Sequence, residues 1–231
     1  MKQQLYTTAL LEARRASLIG AFAIALVILL QGCAALVPVM FIGGIGTAAL
    51  TAADRRSAGT ILEDETIEWK VADLVRKNFG THNNINAVSY NRNVLLTGEV
   101  RDERTRLEAQ RLAGTVKGVR AVVNELVVGP ASPLTGRAND TAITTNIKSR
   151  FLPSAEFSAN HVKVVTEAGV VFLLGIVTRT EGHHAAEIAR NSRGVRKVVK
   201  VFEYIGEKEA QALDARDNSD FAPSDFPPEA P

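Results

Sequence analysis

One cysteine stands among the 231 residues, Cys33. With no second thiol it can form no internal disulfide, and a free exposed thiol is unusual in an exported chain. A thiol can also serve as an attachment point for lipid. The other candidates for chemistry are four histidines, His82, His161, His183 and His184. They show no metal-ligand spacing with acidic residues, and the neighbours His183 and His184 point to different sides of a helix. The chain carries no Ser-His-Asp arrangement, phosphate loop or His-Glu-x-x-His. Its scattered carboxylates read as solvated helix faces. The expectation is a chain with no catalytic residues, no metal site and no cofactor, whose one covalent chemistry is at Cys33.

The surroundings of Cys33 say what that chemistry is. Lys2, Arg14 and Arg15 precede an uncharged run from Ser17 to Leu50, and Leu30-Gln31-Gly32-Cys33 lies inside it. A positive start, an apolar middle and a small residue before a break form an export-signal layout. The segment Leu30 to Cys33 resembles a bacterial lipobox. That resemblance implies cleavage before Cys33 and acylation of its thiol and new amino group, which makes residues 1–32 a signal peptide. Each buried methylene contributes about 0.8 kcal/mol, so several acyl chains hold firmly. The same run is also long enough to span a bilayer, although Pro38 and the Gly43-Gly44-Ile45-Gly46 cluster make it a poor continuous helix. Ala34 and Ala35 follow the cysteine, with none of the aspartate that holds such proteins in the inner membrane. The resemblance therefore points to the outer membrane, facing the periplasm.

The net charge of +2 gives no reason to expect nucleic acid as a partner. Removing residues 1–32 takes away Lys2, Arg14, Arg15 and Glu12 and leaves the remainder neutral. Residues 33–62 read as a lipidated apolar linker. At the other end, 207–231 is rich in Asp, Glu, Ala, Ser and Pro and has few core formers, so it is expected to be a disordered tail.

Between these ends the chain repeats itself. Val94-Leu-Leu-Thr-Gly98-Glu-Val100 aligns with Val171-Phe-Leu-Leu-Gly175-Ile-Val177, and Gly118-Val-Arg-Ala-Val-Val-Asn124 aligns with Gly194-Val-Arg-Lys-Val-Val-Lys200. The first offset exceeds the second by one residue, which is assigned to the helix between the two motifs. Each repeat reads as helix, strand, strand, helix, strand. In the first, residues 63–129, Ile67, Val71, Leu74 and Val75 form one helix face. Arg92-Asn93 suits a hairpin turn. Asp102 can cap a helix that turns Leu107, Leu112 and Val116 inward, and Val119 to Val128 is the last strand. After a linker at 130–138, the second repeat spans 139–206. Asn139-Asp140-Thr141 can cap its first helix, Ala168-Gly169 turns its hairpin, and Thr178 to Asn191 is its second helix. Gly98 and Gly175 fall mid-strand, where glycine weakens a strand unless something needs it; helix packing across them is the favoured reason.

The doubled pattern Val-x-Leu-x-Gly-x-Val, helix, Gly-Val-x-x-Val resembles the BON domain family. It stands at Val94/Leu96/Gly98/Val100 with Gly118/Val119/Val122, and again at Val171/Leu173/Gly175/Val177 with Gly194/Val195/Val198. The layout from Leu30 to Ile205 is similar to that of two-module lipoproteins of the family. The resemblance implies an α+β fold of two tandem αββαβ modules, each a three-stranded mixed sheet packed on two helices. It also implies binding of anionic phospholipid, support of envelope integrity, and an association with division sites. A structural adaptor that docks other envelope proteins is the alternative.

The candidate lipid face is the outer side of the second module's first helix. Ile143, Ile147 and Phe151 point one way; Ala142, Thr145, Ser149 and Leu152 point nearly opposite, with Lys148 and Arg150 on the flanks. A weakly apolar strip between cations suits an anionic headgroup surface, and the second repeat holds 9 Lys/Arg against 6 Asp/Glu. An ordinary solvated face fits these residues equally well, and the resemblance favours lipid. The resemblance also implies an aromatic at the position of Ala142. Trp69, on the first module's opening helix, either supplies that membrane contact or packs against the other module.

The Cys33 reading has a direct outcome. Cys33→Ala is expected to abolish metabolic palmitate labelling and to release the protein from the outer-membrane fraction or leave it unprocessed. Labelling and processing equal to the parent's would refute it.

Overall fold

The computed structural model describes residues 54–80, 83–130 and 132–219. Cys33, the export segment, His82 and residues 220–231 lie outside them. The first module opens with α1 (Ala58–Phe79), capped by Ser57. The antiparallel hairpin of β1 (Asn84–Tyr90) and β2 (Asn93–Val100) follows, then α2 (Glu103–Gly114), then β3 (Ala121–Asn124) and β4 (Val127–Val128), both parallel to β2. The second module has α3 (Leu134–Phe151), β5 (Val162–Glu167), β6 (Val170–Val177), α4 (Arg179–Arg190) and β7 (Lys197–Tyr204), with sheet order β5-β6-β7. A further helix, α5 (Glu207–Ser219), ends the described chain. Each module is the expected αββαβ unit with a mixed sheet, except that the first module's last strand is broken into β3 and β4.

Both hairpins turn the same way, and a buried aspartate holds each. The turns are Asn91-Arg92 and Ala168-Gly169, all with positive φ, as a two-residue turn of this hand requires. The first turn thus sits one residue earlier than expected. Asp64 accepts from Asn91 N (2.8 Å) and Arg92 N (2.7 Å), and Asp140 accepts from Ala168 N and Gly169 N (both 2.8 Å). Asp140 is therefore not a helix cap. The helix begins upstream at Leu134, after Pro133, so part of the expected linker is helical and Asn139 to Thr141 lie inside α3.

The mid-strand glycines answer to the backbone that runs beside them. A Cβ on Gly98 would lie 2.0 Å from Asn84 O, and one on Gly175 would lie 2.4 Å from His161 O. Close backbone approach, not helix packing, excludes a side chain there. The glycine that a helix packs over is Gly182 on α4, whose Cβ would meet Phe202 and Tyr204 of β7 at 3.1 Å. The repeat's odd residue is lost between strand and helix, since the caps are Asp102 after Val100 but Thr178 directly after Val177. On α2 the inward face is made by Ala109 and Ala113, while Leu107 is 53% exposed. The expected inward Leu107 is thus corrected: small alanines let α2 approach the sheet closely, and the leucine turns to the surface.

Three apolar cores result. One lies under α1 and α2, with Ile67, Val71, Val94 and Leu96. A second lies under α3 and α4, with Ile143, Ile147, Phe151, Val171 and Leu173. The third joins the modules: Tyr90 and Leu95 pack with Phe172, Leu174 and Ile176. β6 therefore alternates between two buried faces, odd residues toward its own helices and even residues toward the other module.

The tail expectation is corrected over Glu207–Ser219. These residues form α5, with Ala210 buried and Leu213 packed on the inter-module core. The composition is polar, but a few small and apolar positions at helical spacing suffice when a docking surface is already present.

Candidate lipid-binding site

The segment before α1 does much of the positioning. Arg55 is a buried arginine that uses all five N–H donors. Nε and Nη2 donate to Asp214 of α5 (2.8 and 3.0 Å), Nη1 and Nη2 donate to Glu181 of α4 (2.7 and 2.9 Å), and Nη1 also donates to Ile176 O (3.0 Å). Burial works against its charge, but the bonds to Asp214 and Glu181 outweigh that and hold the guanidinium above its ordinary range. Glu181 has a second duty in the capping box of α4, where it accepts from Thr178 N at 2.7 Å. Burial opposes its ionisation too, yet His161, Arg55 and the Thr178 amide keep its carboxyl well below the usual carboxylate range. His161 is buried beside this cluster, 3.5 Å from Glu181 and 3.6 Å from Asp214.

The next residue, Arg56, turns toward the first module. It donates to Asp54 (2.7 Å) and Asp64 (2.9 Å), and its guanidinium lies 3.9 Å over the Tyr90 ring. Burial opposes this charge as well, and Asp54 is the main group that restores it, leaving Arg56 above its ordinary value. Burial pushes the Tyr90 phenol up, so the ring stays neutral under the cation.

Arg56 and Tyr90 form one wall of a groove of about 530 Å³ whose other wall is α3. Thr145, Lys148, Ser149 and Leu152 line it, so four of the seven expected lipid-contact residues share one concave surface. Leu152 is 77% exposed at its rim. Lys148 is in no ion pair among the described residues. Lys163 also lines the groove and donates to Glu68 of α1 at 2.7 Å, bridging the modules.

The remaining three expected residues are elsewhere. Arg150 donates to Ile188 O (3.0 Å) and Ser192 Oγ (2.7 Å), which ties α3 to the end of α4. Its flank is thus structural. Ala142 is exposed but outside the groove. Trp69 stays on the first module, 70% exposed, so it does not pack against the second. Arg56, Tyr90 and Lys163 were not foreseen, because their place depends on how the two modules pack. The one signal in the sequence was the charged Asp54-Arg55-Arg56 at the end of an apolar stretch.

Two tandem αββαβ units facing each other through their sheets define a double-module chain, and the chain belongs to the BON domain family, whose model matches residues 63–130 and 139–206. It is 43% identical over 180 residues to the outer membrane lipoprotein DolP of Haemophilus influenzae, covering 77% of this chain and 91% of that protein. It is also 41% identical to a 21 kDa hemolysin of Actinobacillus pleuropneumoniae, over 66% of this chain and 79% of the relative. The osmotically-inducible protein Y of Escherichia coli is 34% identical over 61% of this chain and 72% of its own length. The chain is an outer-membrane lipoprotein of this family. Among the described residues, no helix is long and apolar enough to cross a membrane, and no cluster of His, Cys, Asp and Glu could hold a metal.

The Arg55 cluster carries a pH dependence. Glu181 titrates below its ordinary value of 4.5 in the folded chain. Its contribution is therefore present above that value and is lost as pH falls from it toward the depressed folded value. In urea titrations, the parent's midpoint should fall more steeply than that of Glu181→Gln from about pH 5 to pH 3. Parallel slopes for the two proteins would refute this.

Proposed function

We propose that the protein is a tethered, non-enzymatic lipid-binding module pair. Cys33 carries the acyl anchor after removal of the export segment, and the second module engages anionic phospholipid to support envelope integrity at division sites. The observation that carries this reading is the rim of the groove. Leu152 is exposed beside Lys148, a cation with no ionic partner among the described residues, and Arg56 lines the same groove. A leucine that enters the interface contributes about 1.5–3 kcal/mol if fully buried. A lysine near an anionic surface adds about 1 kcal/mol. The missing aromatic at Ala142 is offset by this leucine–lysine pair, and Trp69 is a second exposed anchor on the first module.

The adaptor reading has one feature in its favour: β7 is an edge strand of eight residues, Lys197–Tyr204, paired only with β6. Lys197 and Lys200 stand on it, which is how edges are guarded against added strands. We therefore place lipid first.

Flotation of residues 54–231 with vesicles tests the choice. The parent should float with phosphatidylglycerol vesicles and not with phosphatidylcholine vesicles. Leu152→Glu should weaken flotation about tenfold or more, since lost burial and added repulsion act together, while its melting temperature stays near the parent's. Normal flotation of Leu152→Glu with loss in Trp69→Ala would move the site to the first module. No flotation of the parent would favour the adaptor.

A further inference from the structure

Two large apolar side chains stand in water on the outer side of α1. Leu62 is 65% exposed and Trp69 is 70% exposed. They are seven residues apart, two turns along one helix face, with Thr66 between them. Ile67, Val71 and Val75, on the opposite side, are buried in the first module's own core. That core therefore has no use for the outer pair, and a tryptophan beside a leucine suits a contact with another surface. The charges of α1 select the surface. Its first half carries Glu63, Asp64, Glu65 and Glu68 and no basic residue, while its second half carries Lys70, Arg76 and Lys77 against Asp73. An anionic bilayer attracts the second half and repels the first. A second α1 laid antiparallel meets each half with its opposite.

We propose that α1 pairs with α1 of a second copy of this chain, antiparallel about a twofold axis at Thr66, when both copies are anchored in one membrane. This rests on the anchor at Cys33 and is independent of the lipid face. In that register Trp69 of each copy falls between Leu62 and Thr66 of the other, and Lys70 stands opposite Glu63. Lys70 is exposed and in no ion pair among the described residues. Glu63 is bound to the exposed Arg92 at 2.7 Å, a surface pair that costs little to share. The contact is isologous, so it closes as a dimer and does not extend into a filament. Its size explains the need for a membrane. A helix of 22 residues is about 33 Å long and about 10 Å wide, a face of about 330 Å². A stable interface between free proteins covers about 800 Å² on each partner. Anchoring both copies raises their effective concentration and makes up the difference. The monomer leaves Trp69 open to the bilayer, and the pair covers it.

The test uses the full lipidated chain with Thr66→Cys, whose new thiol is its only free one once Cys33 is acylated. Copper–phenanthroline oxidation of outer membranes should give a disulfide-linked dimer, while Lys208→Cys, exposed on α5, should give little. In the Thr66→Cys chain, Leu62→Glu and Trp69→Glu should each lower the dimer about tenfold or more. Both positions are exposed, so melting temperatures should stay near the parent's. Lys70→Glu should also lower the dimer, and Glu63→Lys added to it should restore the yield. No dimer from Thr66→Cys, or a yield no higher than that of Lys208→Cys, overturns the pairing. A yield from residues 54–231 free in solution equal to that from membranes overturns the dependence on the anchor. Fractionation of the same cells shows whether the chain reached the outer membrane, so failure of the anchor is told apart from failure of the pairing. Trp69 is the chain's one tryptophan, and its emission reads the same face. As more chains are loaded per vesicle, its emission should shift to the blue and bromine on the lipid acyl chains should quench it less. Strong quenching at every loading would lay α1 on the bilayer and overturn the pairing.

Discussion

A buried guanidinium with five satisfied donors organises this molecule. Arg55 joins three parts of the chain that are far apart in sequence: the lead-in before the first module, Glu181 at the start of α4, and Asp214 on α5. Taking its charge out of water is costly, and removing one partner of such a cluster typically costs about 3–5 kcal/mol. The bidentate geometry to both carboxylates fixes direction as well as distance. The lead-in therefore cannot swing freely where it enters the fold, and Arg56 is delivered onto Tyr90 at the groove wall.

The sheet-on-sheet contact makes that delivery possible. Leu95 of β2 and Phe172, Leu174 and Ile176 of β6 have no cover within their own modules. Packed on each other they remove water from both sheets, and polar pairs set the register at the edges: Asn86 with Glu167, Asn91 with Glu203, and Lys163 with Glu68. A module cut out alone would expose this face. The groove beside α3, with one wall from each module, exists because the interface does.

Much of the fold was legible because its signals are local. The repeat, the αββαβ order, the Asp102 cap and the Ala168-Gly169 turn depend on neighbours within a few residues. The readings that failed depend on partners far away. Asp140 looks like a cap beside Asn139 and Thr141, yet its carboxylate serves a turn 28 residues on. Gly98 looks like a helix-packing site, but the carbonyl of Asn84 is what excludes a Cβ. Leu107 fits an inward helical spacing, but Ala109 and Ala113 let the helix come closer. Residues 207–219 are polar enough to read as tail, and a surface built by Arg55, Glu181 and the inter-module core orders them. Whether the two modules pack together was not read from the sequence, although Val94-Leu95-Leu96 and Val171-Phe172-Leu173-Leu174 are apolar on both strand faces and are buried on both. Of the groove's lining, Thr145, Lys148, Ser149 and Leu152 were legible as one exposed side of a helix; the opposite wall was not.

The central claim is that Arg55 clasps the lead-in, the second module and α5 into one piece. Hydrogen–deuterium exchange on Arg55→Met tests it most directly, since methionine keeps the volume and removes the donors. Amides of α5 and of the first turn of α1 should lose protection while those of β5, β6 and β7 keep theirs. Protection in α5 equal to the parent's would show that the helix docks without the clasp and would contradict the account.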